Sequence, residues 1–554
     1  MRTTLLFLMA ISMATATVTL TNVGYMNLGN CQTGNTNLFD EGAYKAAFDP
    51  STRLLYVTGD KCVRVVSIEN PSQPTVLNTR LFTNANDGRL VDIAMCGGNV
   101  AVLFESVFGL TEGHLYMCER YNPLSNPPFY CERYDRITVG ESPKSMTFTK
   151  DCSKLLVANE ARAGMLNGVF TDPDGTVSII NMSRIATNDP CTRKLSFSHF
   201  NNGYAGYLQQ GIRWPYRGDH NNGIVTQFSQ DIEPEEIAIS DNGEWAYVTL
   251  PENNAMAVIN LLNEEWDDIY PLGTKSWSNL GLDASDFDTG SSMNNYEVKG
   301  MYQPTGAIFV RASTVSYVVT ANTGAPKMYT SDQQGFTFTD AVRTQDALNS
   351  GLVDQSELSS NLAYDMASTN RLGRVYISNH DGKSDINNLI KDVHLFGGRD
   401  LGFYNTNTNT FTYTTGDDLE RKAAEFYIEV FNGDCSNASV TPAAEMDSRS
   451  TYMGPEPNVL ASGEYNSVPI VTAATRNGLI YVYSFSSNTP LFESVHRLGD
   501  PFVAWGQSQG STAAGDGLIS DMGYIAQNVL GGNPFLYVIS RGTGSVSIKE
   551  IANV

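Results

Sequence analysis

Glu235-Glu236-Ile237-Ala238-Ile239-Ser240-Asp241-Asn242-Gly243-Glu244-Trp245-Ala246-Tyr247-Val248-Thr249-Leu250-Pro251-Glu252-Asn253-Asn254-Ala255-Met256-Ala257-Val258-Ile259-Asn260-Leu261 is the stretch that decides the fold. Residues 236–239 read as a short strand, and Asp241-Asn242-Gly243 supplies a tight turn. Residues 245–250 form the next strand, Glu252-Asn253-Asn254 turns the chain again, and 255–261 return. β-branched and aromatic side chains fill the strands, while Gly, Asn and Asp fill the turns. Three antiparallel strands in under thirty residues cannot bury both faces alone, so the unit must stack on copies of itself.

The same grammar recurs along the chain. Strands fall at 43–48, 54–58 and 62–68; at 91–95, 100–104 and 114–118; and at 145–149, 155–159 and 176–180. After the 235–261 unit come 305–310 and 316–321, whose third strand lies far downstream at 400–404. Two further sets occupy 458–461, 470–474 and 479–485, then 520–525, 535–540 and 545–549. Seven sets without intervening βαβ helices predict an all-β, seven-bladed β-propeller, with 18–25 completing the last blade. A pair of β-sandwiches is the competing arrangement. Helical patterns at 340–348, 384–395 and 418–430 place helices in loop insertions, near 323–398 and 415–455.

Residues 1–16 carry an export pattern: Arg2, an apolar run from Leu5 to Ile11, then the small residues Ala14-Thr15-Ala16. The expected organisation is therefore a signal peptide at 1–16 and one propeller domain over 17–554. No other stretch has the ~20 apolar residues that span a bilayer, so no transmembrane segment is expected. The eight cysteines (Cys31, Cys62, Cys96, Cys118, Cys131, Cys152, Cys191 and Cys435) contain no Cys-x-x-Cys pair and suit disulfides in an oxidising compartment. Cys118 and Cys131 flank a Pro/Asn-rich turn, as two arms of a bridged hairpin would. Asn181-Met182-Ser183 and Asn437-Ala438-Ser439 are glycosylation acceptors. A formal net charge of −23 repels nucleic acid and attracts cations.

In such a blade the loops before the first strand and after the second lie at one end of the ring. Those loops are rich in carboxylates: Glu160, Asp174, Glu233, Glu235 and Glu456 head the candidates, with Asp172, Asp231 and Glu252 nearby. Converging oxygens are what Ca²⁺ requires. Asp283-Ala284-Ser285-Asp286-Phe287-Asp288 sets three carboxylates in one short loop, making Asp283, Asp286 and Asp288 further candidate metal ligands. Asn379-His380-Asp381-Gly382-Lys383-Ser384-Asp385 alternates oxygen donors, but Lys383 interrupts the series. The six histidines show no metal-ligand spacing, and neither a Gly-x-Ser-x-Gly elbow nor a phosphate loop occurs. No catalytic set is assigned.

The 233–306 stretch also carries Ile232-Glu233-Pro234-Glu235, Pro271-Leu272-Gly273, Leu282-Asp283-Ala284-Ser285-Asp286 and Gly300-Met301-Tyr302-Gln303-Pro304. With Phe396-Gly397-Gly398-Arg399-Asp400, Asp447-Ser448-Arg449-Ser450 and Gly454-Pro455-Glu456-Pro457, these motifs resemble the choice-of-anchor I family. Within it the chain most resembles the mesenchyme-specific cell-surface glycoproteins of biomineralising invertebrates. The resemblance implies a secreted extracellular propeller tied to calcium-carbonate mineral or extracellular matrix proteins. Some members of the family are described as phosphatase-like, which keeps a metal-dependent hydrolase as one alternative and a cation-independent adhesion propeller as another. At 159–162, 322–325 and 540–542, neutral or basic residues replace several of the acids that the family tends to place there, while Glu160 remains.

Overall fold

The computed structural model describes residues 17–553 except 132–135, 186–191, 219–222, 289, 331–336, 509–511 and 514. The export pattern at 1–16 lies outside the described residues. Within them are seven four-stranded antiparallel sheets, at 46–81, 87–141, 143–196, 237–271, 306–414, 457–496 and 519–553. The last has only three strands of its own. Val18–Asn27 supplies the fourth, pairing with Ser545–Asn553 from Val18↔Asn553 to Asn27↔Ser545.

Two independent observations make this a β-propeller rather than a sandwich. The first strand of each sheet neighbours the first strand of the next, and Ile519–Ile525 returns to Ala46–Asp49 to close the circle. A separate apolar core also fills each of the seven sheet-to-sheet interfaces, including the closing one, where Leu55 and Val57 meet Tyr537 and Ile539. Side chains alternate across each strand, so a strand buried on both faces feeds two neighbouring cores. That is why Trp245–Leu250 is apolar on both sides, with Val248 in one core and Tyr247 in the next. Hydrogen bonds lace adjacent sheets near the axis: Asp521 accepts from the Ala46 amide (2.8 Å), and Asp92 from that of Met146 (2.7 Å).

The long insertion of the fifth sheet runs between its second strand, Val315–Asn322, and its third, Asp400–Asn405. It joins residues 274–301 in a cap with its own five-stranded sheet and its own core around Trp277, Met366, Ile377 and Leu395. Helices α1 (Tyr204–Gln210), α2 (Thr344–Asn349), α3 (Ser360–Ala367) and α4 (Asp418–Phe426) all lie in connections between strands. The helix expected over 384–395 is absent. Asn388 takes a left-handed φ of +58°, Ile390 bridges to both Val353 and Lys383, and His394–Leu395 joins the cap sheet. The apolar residues there answer to the cap core, not to a helical face. Among the described residues no helix is long and apolar enough to cross a membrane.

Candidate metal centre

Three carboxylates meet where the cap adjoins the 415–455 insertion. Oxygen atoms of Asp283, Asp288 and Asp447 all lie within 4.8 Å of one another. Asp283 opens a loop that closes on itself through paired backbone bonds between Leu282 and Asn294 (2.9 and 3.1 Å). Its carboxylate accepts from the amides of Ser285 (3.2 Å) and Ser292 (2.7 Å), which fixes its direction. Asp447 follows a short 3₁₀ turn, Pro442–Glu445, in left-handed backbone (φ +68°) that Asp tolerates better than most residues. One of its oxygens accepts from the Ser450 hydroxyl at 2.6 Å.

A single arginine ties these loops together. Arg399, 1% exposed, donates to the Asp283 carbonyl (2.8 Å), the Ser450 carbonyl (2.7 Å) and Glu420 of α4 (3.0 Å). Gly454 makes room for it, since a β-carbon there would sit 2.8 Å from the guanidinium. Arg399 thus holds the two loops while its charge goes to Glu420. Among the described residues no salt bridge reaches Asp283, Asp288 or Asp447.

The electrostatic result is a cluster short of positive charge. Burial, reinforced by Glu420 and Asp288 nearby, pushes Asp283 up to about 7 against the opposing amides. Burial, then repulsion from Asp283 and Asp288, pushes Asp447 up to about 8. Burial raises Asp288 as well, and one of its oxygens is buried without a hydrogen bond. A divalent cation coordinated by oxygen would supply the missing charge and satisfy that oxygen. The donor set is all carboxylate, which suits a hard ion such as Ca²⁺ and not a soft one.

The other acids are arranged differently. Asp286 turns away from its loop partners and forms a two-pronged bond with Arg374 (2.6 and 2.9 Å), which holds its carboxyl below the usual range. Glu160 and Glu235 share Lys144 (3.4 and 2.9 Å), and Arg162 adds to Glu160. Glu233 lies 2.8 Å from buried Lys327, with Asp231, Glu252 and Asp172 around the same ammonium. Glu456 is met by Arg449 and Arg476. Asp174 accepts from the hydroxyls of Ser229 and Ser196. These five acids do sit at one end of the ring, but they are spread over separate ion pairs and hydrogen bonds. In the 379–385 loop, Asp381 is held by Arg213 at 2.8 Å and well below the carboxylate range.

Asp447 and Arg399 are the residues that sequence reasoning did not place in a site. Both stood in the quoted motifs, Asp447-Ser448-Arg449-Ser450 and Gly398-Arg399-Asp400, where their shared neighbourhood was the missing information. Disulfides join Cys31 to Cys62, Cys96 to Cys152 and Cys118 to Cys131. Cys435 is a buried free thiol, which departs from an all-disulfide reading, and Cys191 lies outside the described residues. Asn437 is exposed, whereas Asn181 is half-buried and caps a 3₁₀ turn with its side chain.

The choice-of-anchor I domain matches residues 44–488. The chain is 23% identical, over an alignment 644 positions long, to the mesenchyme-specific cell surface glycoprotein of Strongylocentrotus purpuratus, covering 84% of this chain and 81% of that one. Among solved structures it is similar to Raptor of Chaetomium thermophilum, with a TM-score of 0.44, 9% identity, and coverage of 97% of this chain and 30% of that one. It is also similar to the β-propeller domain of Myceliophteria thermophila Cps50 (Swd1), with a TM-score of 0.41, 7% identity, and coverage of 97% and 100%.

Proposed function

Because this chain belongs to the choice-of-anchor I family, we propose that it is a secreted glycoprotein of the cell surface or extracellular matrix that holds Ca²⁺ at Asp283, Asp288 and Asp447. Export by residues 1–16 leaves a single propeller domain, glycosylated at Asn437 and Asn181. The bound ion locks the cap to the neighbouring insertion and presents a charged, calcium-bearing end of the ring to mineral or to matrix proteins. The named relative is a cell surface glycoprotein, and three disulfides suit an oxidising exterior.

The observation that carries this reading is the carboxylate triad with no basic side chain on it among the described residues, whereas Glu160, Glu235, Glu233 and Glu456 at the same end each have one. Isothermal titration of the chelator-treated protein with CaCl₂ tests it. One high-affinity site that disappears in Asp447→Asn supports the proposal. No binding at about millimolar calcium, the weak end of extracellular calcium modules, removes it.

A further inference from the structure

At the opposite end of the ring a cleft of about 530 Å³ opens between the fourth and fifth sheets. The turn that decided the fold, Ser240 to Asn242, forms one wall, and the turn at 405–409 forms the other. Trp245 and Phe309 are half-buried in it, their bodies packed against the inter-sheet core beside Tyr270 and Phe411. Polar side chains stand around these rings. Asp267 accepts from the Tyr270 hydroxyl (2.8 Å) through one oxygen, leaving the other available. Among the described residues, the Asp241 carboxylate has exposed Lys150 as its one side-chain partner, at 3.4 Å. Arg311 is exposed and, among the described residues, has no ion-pair partner; the Asn407 side chain likewise has no hydrogen bond there.

This combination selects a ligand class. A predominantly polar cleft gives a lipid or an apolar peptide too little to bury. Two acids against one arginine disfavour phosphorylated or sulfated molecules. Planar carboxylate, amide and guanidinium groups can bond a dense set of hydroxyls as both donors and acceptors. Half-exposed aromatic faces meanwhile accept a flat C–H surface. A pyranose ring has both features.

We propose that this cleft binds an uncharged sugar residue of a glycan, stacked on Trp245 and Phe309 and hydrogen-bonded by Asp241, Asp267, Arg311 and Asn407. The site is independent of the carboxylate triad, which stands at the other end of the ring. The sugar could come from the N-glycan of another glycoprotein or from a matrix polysaccharide.

Saturation-transfer NMR and titration on the full chain test this, with and without EDTA. The probes are mannose-rich N-glycans, N-acetylglucosamine oligomers and chondroitin sulfate. At least one uncharged probe is expected to bind below about 10 mM, with chelator making no difference. The first two probes distinguish the two sources. Asn407→Ala and Arg311→Ala, both at exposed positions that leave the core intact, are each expected to weaken binding about tenfold. Trp245→Ala should abolish it, with thermal unfolding run alongside. The proposal is overturned if neither uncharged probe binds, if the sulfated polymer binds in preference, if EDTA abolishes binding, or if both surface variants bind as the parent does.

Discussion

Two groups of acids occupy the same end of the ring, and they differ in what faces them. Around the axis, Glu160 and Glu235 hold Lys144, Glu233 holds Lys327, and Glu456 meets Arg449 and Arg476. At the cap, Asp283, Asp288 and Asp447 meet one another, and the nearby arginine spends its charge on Glu420. Buried charge is costly unless compensated, so the first group is a self-contained structural network. The second has no such partner among the described residues, and the proposed calcium ion would supply it. An acidic composition therefore says little about where a cation binds; the placement of the bases decides it.

That contrast can be broken in four ways, from the largest expected effect to the smallest. Lys327→Met removes the cation from a buried group of carboxylates and should cost about 3–5 kcal/mol, read by chemical denaturation; a negligible loss would mean the axial acids are not held by internal pairing. Asp447→Asn should lower calcium affinity roughly a hundredfold, about 2.7 kcal/mol, in calorimetry, while Glu235→Gln leaves it unchanged. Equal losses from both variants would erase the distinction between the groups.

The third test is pH. Asp283 and Asp447 titrate above the ordinary Asp value in the folded, calcium-free protein, so the folded state binds more protons than the unfolded state between about pH 4 and their raised values near 7 and 8. Stability of the calcium-free protein should therefore fall as pH rises across that window. Calcium should restore it most at pH 8, by about 2.7 kcal/mol at a hundredfold excess over Kd, and least at pH 5, where protons compete. Thermal unfolding at both pH values, with calcium and with chelator, checks this; a calcium effect independent of pH counts against the triad. Last, Asp286→Asn should change stability by less than about 1 kcal/mol, because its Arg374 partner is partly solvated. It should not touch calcium binding, although Asp286 lies between two of the proposed ligands.

The propeller strands were legible because each blade is local: strand, turn and strand follow within a few residues, and Asp241-Asn242-Gly243 announces its own turn. Even the distant third strand of the fifth blade was placed, since Asp400–Asn405 has the same two-sided apolar pattern as its neighbours. The cap was not legible. Its core is assembled from Trp277, Leu362, Ile390 and other residues scattered over more than a hundred positions, and no periodicity links them. The site was half legible for the same reason. Asp283 and Asp288 share one loop, whereas Asp447 arrives from another insertion, brought in by a buried arginine whose partners are mostly backbone carbonyls. Carbonyl acceptors leave no trace in residue identity.

The pairing of Val18–Asn27 with Ser545–Asn553 has a mechanical consequence. The strands run antiparallel with Val18 opposite Asn553, so the two points where chain enters and leaves the ring lie side by side. Tension applied between them would load one rung of the ladder at a time and unzip it, instead of shearing all rungs together. A ring built this way withstands pulling only if its load passes through one end, or through the cap and blades, and not across that seam.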